Sequence, residues 1–349
     1  MELFVKKTGG IIIFNKKLPL AQPPIRGYQF LAYQLSVICI SQNHQPWLHS
    51  HFIQLYGNPN DPLISFYEPY IWYDSNPWFE FDKLSTETIK QSNIELDELI
   101  MSYIDRDYYI MSIVDEFHLP NRRSYQKFNY IHDLLIYGYS RDENKYTTIG
   151  FDEHGTFKTQ NVDYSTFKES IFNTSGNFIL PFKLKQDYKP EFRITAVVDL
   201  LNDYLHSINT SERIKPIDDR QYHPDHVFGI KTYELLKNYF ELLIENKVEF
   251  DIRSLHFLCE HKESMIARIN FLIENGFLLQ EPNDKLISEY QNLKDNCIIA
   301  RNLQLKYLLN NNKNEILKVI EKIDEISKME EILLTKLLNQ IKTEKICAL

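Results

Sequence analysis

Three apolar runs separated by short polar turns are the feature that most constrains how this chain can fold. They lie at about 107–116, 130–139 and 145–151, and a weaker fourth run lies at about 155–160. Runs rich in β-branched and aromatic residues between polar turns predict strands. The turns at about 140–145 and 153–156 are too short to hold a crossover helix. The sequence therefore predicts an antiparallel sheet, and we expect it to pack against a helix at 28–41.

Apolar residues at three- and four-residue spacing predict helices elsewhere. In the first half these helices are at about 47–56, 89–103 and 164–172, and the Pro-bearing segment 66–81 is predicted to be an irregular packed loop. After Pro190 strand signals nearly vanish, and helices are predicted at about 196–208, 227–246, 254–275, 286–309 and 315–342. The predicted fold class is α+β, with an α+β domain at 1–190 and an all-helical domain at 191–349.

Composition narrows the function classes. The chain has 349 residues, a net charge of −9, and a hydrophobic content of 43%, so it can bury a large core but has no general attraction to nucleic acid or anionic lipid. Neither a Gly-rich phosphate loop nor Gly-X-Ser-X-Gly occurs, and no cofactor is predicted. Four scattered cysteines indicate a reducing compartment, and no apolar run approaches the roughly 20 residues of a membrane span, so we expect a cytoplasmic protein that acts away from membranes.

A histidine and an aspartate mark the predicted sheet as a candidate site. His132 opens one strand and Asp152 ends the next, and a carboxylate on a neighbouring strand can orient an imidazole for acid/base work. Because facing residues on adjacent strands lie about 5 Å apart, we expect the two side chains to meet and to face the N-terminal end of the helix that starts near Tyr28. The alternatives are that His132 donates to a backbone carbonyl and that Asp152 is an ordinary turn residue. Asp133 is predicted to point to the opposite face and to be a poor partner.

These residues carry a resemblance to a known family. The string from Asp115 through His132 and the strand 135–139 to Asp152, together with the helical region around Gly229 and 256–271, resembles the family of butirosin biosynthesis protein H. The resemblance implies a papain-like, cysteine peptidase-like N-terminal module of the kind that accompanies natural-product pathways, including nonribosomal peptide pathways. Such a fold transfers an acyl group from a carrier-protein thioester to an amine through a Cys. His132 then matches the base and Asp152 matches the orienting carboxylate.

The nucleophile does not carry over in the same way. The resemblance implies a Cys in the first turn of the leading helix, where the helix dipole lowers the thiol pKa. The first turn here holds Tyr28, Gln29 and Phe30, and the candidate nucleophile, Cys39, lies about three turns later in an apolar setting typical of a core thiol. Ser36 is a weaker alternative.

Other polar clusters favour structural roles. His49 and His51 lie about 200° apart on a helix, which does not converge two ligands. The sets His256, Cys259 and Glu260, and His223 to His226, lack a second set of ligands, so no metal site is predicted. The loop bearing Glu116, His118 and Arg122–Arg123 could line a cleft, but solvated surface is favoured.

The sequence leaves different functions open. One is acyl or peptidyl transfer from a carrier-protein thioester to an amine, by an acyltransferase or peptidase-like enzyme whose nucleophile is not identified. The alternative is a non-catalytic scaffold or carrier-protein-binding pseudoenzyme of the same pathway, and an intracellular peptidase is a third reading. The expected partners are an acyl or peptidyl carrier protein and a small-molecule or peptidyl substrate.

Overall fold

The computed structural model describes residues 14–61, 63–173 and 177–342, and in this part of the chain the fold is mixed α+β. The strands are β1 Asn15–Lys17, β2 Leu55–Gly57, β3 Ile64–Phe66, β4 Phe79–Phe81, β5 Leu84–Ser85, β6 Tyr109–Asp115, β7 Ile131–Ser140, β8 Lys145–Phe151, β9 Phe157–Asp163, β10 Phe178–Leu184 and β11 Val227–Phe228. The helices are α1 Gln29–Ile38, α2 His44–Ser50, α3 Thr86–Ser92, α4 Leu96–Asp105, α5 Tyr164–Phe172, α6 Ile194–His206, α7 Ser211–Ile214, α8 Thr232–Ile244, α9 Arg253–Glu274, α10 Gln280–Asn310 and α11 Lys313–Gln340.

The chain forms two compact units, and each is discontinuous in sequence. The first unit comprises residues 1–22, 33–40 and 73–188, and the second comprises residues 23–32, 41–72 and 189–349. A unit boundary falls close to the predicted position near residue 190. Residues 23–32 and 41–72, which we had assigned to the α+β domain, instead group with the helical half.

The first unit is built on the antiparallel sheet that the sequence predicts. Its strand order is β4-β10-β6-β7-β8-β9, with β1 pairing with β7 and β5 pairing with β10. The strand pairs are antiparallel, and β8 has the predicted bounds 145–151. Gly138 lets β1 approach, because a Cβ there would lie 2.7 Å from the carbonyl oxygen of Lys16. The prediction of a central antiparallel sheet is confirmed.

The helix predicted at 28–41 is present as α1, and its residues 33–38 belong to the first unit. Tyr33 connects this helix to the sheet, since its ring lies 6.2 Å from the ring of Phe157 on β9. A Cβ at Gly150 on β8 would lie 2.7 Å from the Tyr33 hydroxyl, so the glycine makes room for the tyrosine. The predicted packing of helix on sheet is therefore confirmed through Tyr33.

The second unit is mainly helical, as predicted for the residues after 190. Its long helices α9, α10 and α11 pack side by side, and a three-stranded sheet of order β11-β2-β3 lies at one part of the unit. In the interior of the second unit, Glu330 accepts hydrogen bonds from the hydroxyls of Tyr204 and Tyr233, each at 2.7 Å, and pairs with the ammonium of Lys262. His261, Lys262 and Glu330 are fully buried. The buried charges of Lys262 and Glu330 are therefore balanced by each other and by the two tyrosine hydroxyls.

Several predicted elements differ from the structure. The helix expected at 47–56 ends at Ser50 and is followed by strand β2, and the helix expected at 89–103 is two helices because Asn93, at φ 53°, ends α3 in a left-handed conformation. Strand β10 was missed, and it carries Pro181, a residue that argues against a central strand. The short strand β11 is an exception to the helical pattern after 190.

Candidate functional site

His132 lies at the start of β7 with about one third of its side chain exposed, and it sits between two carboxylates. Its Nδ1 is 3.1 Å from Oε1 of Glu116, and its Nε2 is 3.4 Å from Oδ1 of Asp133. Asp115 fixes the loop that holds Glu116, because its Oδ1 accepts from the backbone N–H groups of Phe117 and Tyr130, both at 3.0 Å. The site is thus formed by the end of β6, the turn after it and the start of β7.

The charges around His132 favour its protonated form. Burial lowers the pKa of His132, but the hydrogen bond with Glu116 and the attraction of Asp133 raise it more, so that the net shift is upward. An imidazolium donates from both nitrogens and has no lone pair with which to accept a proton. The arrangement therefore holds a cation rather than a general base with a free nitrogen.

Arg122 closes the buried side of this cluster. It is 2% exposed, its Nε lies 3.9 Å from Oε1 of Glu116, and its guanidinium donates to the carbonyl of Phe151. A Cβ at Gly150 would lie 2.7 Å from Nη1 of Arg122, so the glycine also admits the guanidinium. The interpretation of Glu116 and Arg122 as solvated surface was wrong, whereas Arg123 is exposed as expected.

The carboxylate of Asp152 stabilises the turn that follows β8. Its Oδ1 accepts from the backbone N–H groups of His154 at 2.9 Å and Thr156 at 2.8 Å, and its Oδ2 lies 2.6 Å from the ammonium of Lys158. Lys158 and these N–H groups lower the pKa of Asp152 to about 2. The alternative of a strand-end turn residue therefore describes Asp152.

The expectation about Asp133 was wrong. Consecutive strand residues leave opposite faces, but His132 is the second residue of β7, close to the end of the ladder, and its partly exposed imidazole lies 3.4 Å from the Asp133 carboxylate. The carboxylates that the structure places on the imidazole are accordingly Glu116 and Asp133. Glu116 occupies the position that we had assigned to Asp152.

Cys39 is the first residue after α1, and its environment disfavours the thiolate. Burial raises the pKa of the Cys39 thiol to about 12. The C-terminal end of a helix carries partial negative charge, which also opposes ionisation. This is the reverse of an activated cysteine at a helix N-terminus.

The backbone at the start of α1 already binds a carboxylate. The N–H groups of Arg26 and Gly27 donate to the two oxygens of Glu260, each at 2.8 Å. A Cβ at Gly27 would lie 2.9 Å from Cδ2 of Phe257, so only glycine fits this close approach. These amides are therefore not available to bind the oxygen of a reacting carbonyl. The expected approach of His132 to this helix start joins residues of both units and stays a prediction.

The histidines weighed as metal ligands have protein partners. His49 bonds Oε1 of Gln45 at 2.7 Å, His51 bonds the carbonyl of Trp47 at 2.7 Å, and His256 lies 3.3 Å from Glu260. His223 and His226 pack on the ring of Tyr56. Within residues 14–61, 63–173 and 177–342, no group of three or more His, Cys, Asp or Glu side chains is placed to hold a metal ion.

The sequence signal that could have found the site is the pair Asp115–Glu116 at the end of a buried strand. Acidic residues in that position are expected to be either solvated or paired, and the pairing strand begins with His132 and Asp133.

The helices in the described part of the chain include none that is long and apolar enough to cross a membrane. Comparison with protein-family models and with curated proteins finds no match for this chain.

Proposed function

We propose that this protein is a carrier-protein-binding pseudoenzyme of a natural-product pathway of the nonribosomal peptide type. It would hold an acyl or peptidyl group that remains attached to its carrier, without forming a covalent acyl-protein intermediate. The pathway and the carrier partner rest on the resemblance to the butirosin biosynthesis protein H family. The observation that carries the non-catalytic part is that His132 has a carboxylate at each of its two nitrogens.

Acyl transfer through a cysteine needs three groups that work together: a thiolate, a base with a free nitrogen and donors for the developing oxyanion. The thiol of Cys39 is held protonated by burial. The pKa of His132 is raised, and the amides before α1 are bonded to Glu260. A peptidase would need the same three groups. These observations favour non-covalent binding over both acyl transfer and peptide hydrolysis.

The test is to mix the full-length chain with a carrier protein from the same gene neighbourhood, loaded with an acyl thioester. Sedimentation or surface binding measures association, and intact mass spectrometry measures covalent transfer. We expect a reversible complex and no added acyl mass. Cys39→Ser and His132→Gln should leave both results unchanged, as should His154→Gln, which alters an exposed histidine outside the cluster.

The two parts of the proposal fail separately. An acyl adduct that disappears in both Cys39→Ser and His132→Gln, but persists in His154→Gln, would establish the acyltransferase reading in its place. Absence of association with the loaded carrier, while the chain is folded by circular dichroism, would remove the carrier-binding role.

A further inference from the structure

The second unit contains a small cavity walled by aromatic rings. Its volume is about 170 Å³. The rings that line it are Phe30, Tyr56, Phe66, Tyr67, Trp72 and His223. Trp72 is 37% exposed, so that the cavity has an open side on which a ligand could enter. The lining residues include one carboxylate, that of Glu68, and neither Lys nor Arg.

The rings are fixed by contacts of their own. The hydroxyl of Tyr67 donates to the carbonyl of Gln221 at 2.9 Å, and its ring meets Tyr56 edge-on at 5.5 Å. Tyr56 in turn stacks on His226 at 5.4 Å. The walls are thus formed before any ligand arrives, which lowers the entropic cost of binding.

The cation that acts on Glu68 among the described residues is the buried guanidinium of Arg268. One oxygen of Glu68 accepts from the N–H of Phe52. The guanidinium of Arg268 donates hydrogen bonds to the carbonyls of His49, His51 and Phe52. Burial raises the pKa of Glu68 to about 8, although the Phe52 N–H and Arg268 lower it. An incoming cation would relieve this cost.

We propose that this cavity binds the alkylammonium group of a small organic cation, with Glu68 as its counter-ion and the aromatic rings as its cage. Ring faces and a carboxylate are together the groups that attract an ammonium. A carboxylate and the lack of basic lining residues oppose an anion. The inference does not depend on the proposed function, since it involves neither His132 nor Cys39.

The test is a titration of the full chain with n-butylammonium at about pH 9, where Glu68 is mostly ionised, and binding is measured by calorimetry and by tryptophan fluorescence. The comparison ligands are n-butanol, which lacks the charge, and butyrate, which reverses it. We expect butylammonium to bind at least about tenfold more tightly than butanol, and butyrate to bind no better than butanol. Equal binding of butylammonium and butanol would show an uncharged apolar site and overturn the proposal, as would no binding.

Two variants test whether the carboxylate of Glu68 attracts the ammonium group. Glu68→Gln keeps the shape and should weaken butylammonium binding by about tenfold or more, whereas Glu191→Gln removes an exposed carboxylate of the same unit and should have no effect. Unchanged affinity in folded Glu68→Gln would overturn the assignment.

A measurement on the unmodified chain covers the case in which Glu68→Gln does not fold. Because only ionised Glu68 attracts the cation, affinity should rise by about tenfold between about pH 7 and about pH 9. The other titratable or charged groups near the carboxylate are Arg268, His223, Tyr56, Tyr67 and Tyr70. His223, Tyr56 and Tyr67 do not change charge in this window, because burial lowers the pKa of His223 and raises those of Tyr56 and Tyr67. Burial lowers the pKa of Arg268 to about 10, which is still above the window. Affinity that is flat across this range would contradict the proposal.

Discussion

At the scale of single residues, the cluster around His132 shows how charges are kept inside a sheet-based fold. Asp115, Glu116, Arg122 and Asp133 are each more than nine-tenths buried. Three carboxylates and one guanidinium place an excess of acidic groups at this site, which favours a positively charged imidazole. The imidazolium is therefore part of the structure's charge balance, and this explains why it is ill suited to accept a proton.

Glu116→Gln tests that charge balance. The variant removes the hydrogen-bonded carboxylate that raises the pKa of His132, so this pKa should fall, as read from the imidazole NMR signals. In the natural chain the raised pKa gives stability that is present below the unfolded value of 6.5 and is lost as pH rises through the folded value. That dependence should shrink in Glu116→Gln. Glu153→Gln is the control, because Glu153 is about half exposed, and an unchanged His132 pKa in Glu116→Gln would contradict the account.

Asp152 supplies a second test at this scale. Asp152→Ala removes two backbone hydrogen bonds and the partner of Lys158, and should lower the free energy of unfolding. Asp152→Asn keeps an oxygen acceptor for the two N–H groups and should cost clearly less. Urea denaturation compares the two variants. Equal losses would show that the turn does not depend on the Oδ1 acceptor.

His132 was found from sequence because it opens a strongly patterned strand. Its partners Glu116 and Asp133 were not found. Alternation along a strand predicts the direction in which a side chain leaves the backbone, but it does not predict where the end of that side chain will lie near the end of a strand. Glu116 was missed for a related reason: a carboxylate in a polar loop resembles surface until its cation is known. Glu68 gave no signal, since it lies inside an aromatic segment that was read only as a loop.

At the scale of elements, strands with short turns were the most predictable. The bounds of β8 and α5 agree with the sequence, because each has a clear period and polar residues at both ends. Strands of only three residues could not be predicted in the same way. The three-residue strands β2, β3 and β4 contain too few residues to show alternation, so their pairing depends on partners distant in the sequence.

A buried ion pair joins α9 to α11, and its contribution to stability is testable. Lys262→Met removes the buried cation that pairs with Glu330, and should destabilise the chain by about 3–5 kcal/mol in urea denaturation. Replacing both partners in Lys262→Met with Glu330→Gln should cost less than the single change, because no buried charge is left over. Lys247→Met is the control, since Lys247 pairs with Glu245 on the surface. A double variant less stable than Lys262→Met would contradict this account.

At the scale of the whole molecule, the chain passes between its two units several times. Residues 23–32 and 41–72 belong to the helical unit although they precede all strands of the large sheet except β1 in sequence. A change of pattern near residue 190 predicted one boundary, but pattern alone cannot show that an early segment joins a late one. That requires contacts such as those of Arg268 with the carbonyls of His49 and His51.

Buried neutral histidines should make the whole molecule sensitive to acid. Burial lowers the pKa of His49 to about 3 and that of His51 to about 4, and it places that of His261 well below 6.5. The unfolded chain binds protons at these positions from about pH 6.5 downward while the folded chain does not, so stability should fall as pH decreases from about 6.5 to about 4. Urea midpoints measured across this range check the slope. His49→Gln, which cannot titrate there, should flatten it, and a midpoint independent of pH would contradict the assignment.

The most direct test of the account is the rate at which Cys39 reacts with iodoacetamide as a function of pH, followed residue by residue with mass spectrometry. Because only the thiolate reacts, the rate should keep rising through about pH 10 without a plateau, and His132→Gln should leave the profile unchanged. A plateau near neutral pH that disappears in His132→Gln would show an activated cysteine and contradict the pseudoenzyme conclusion.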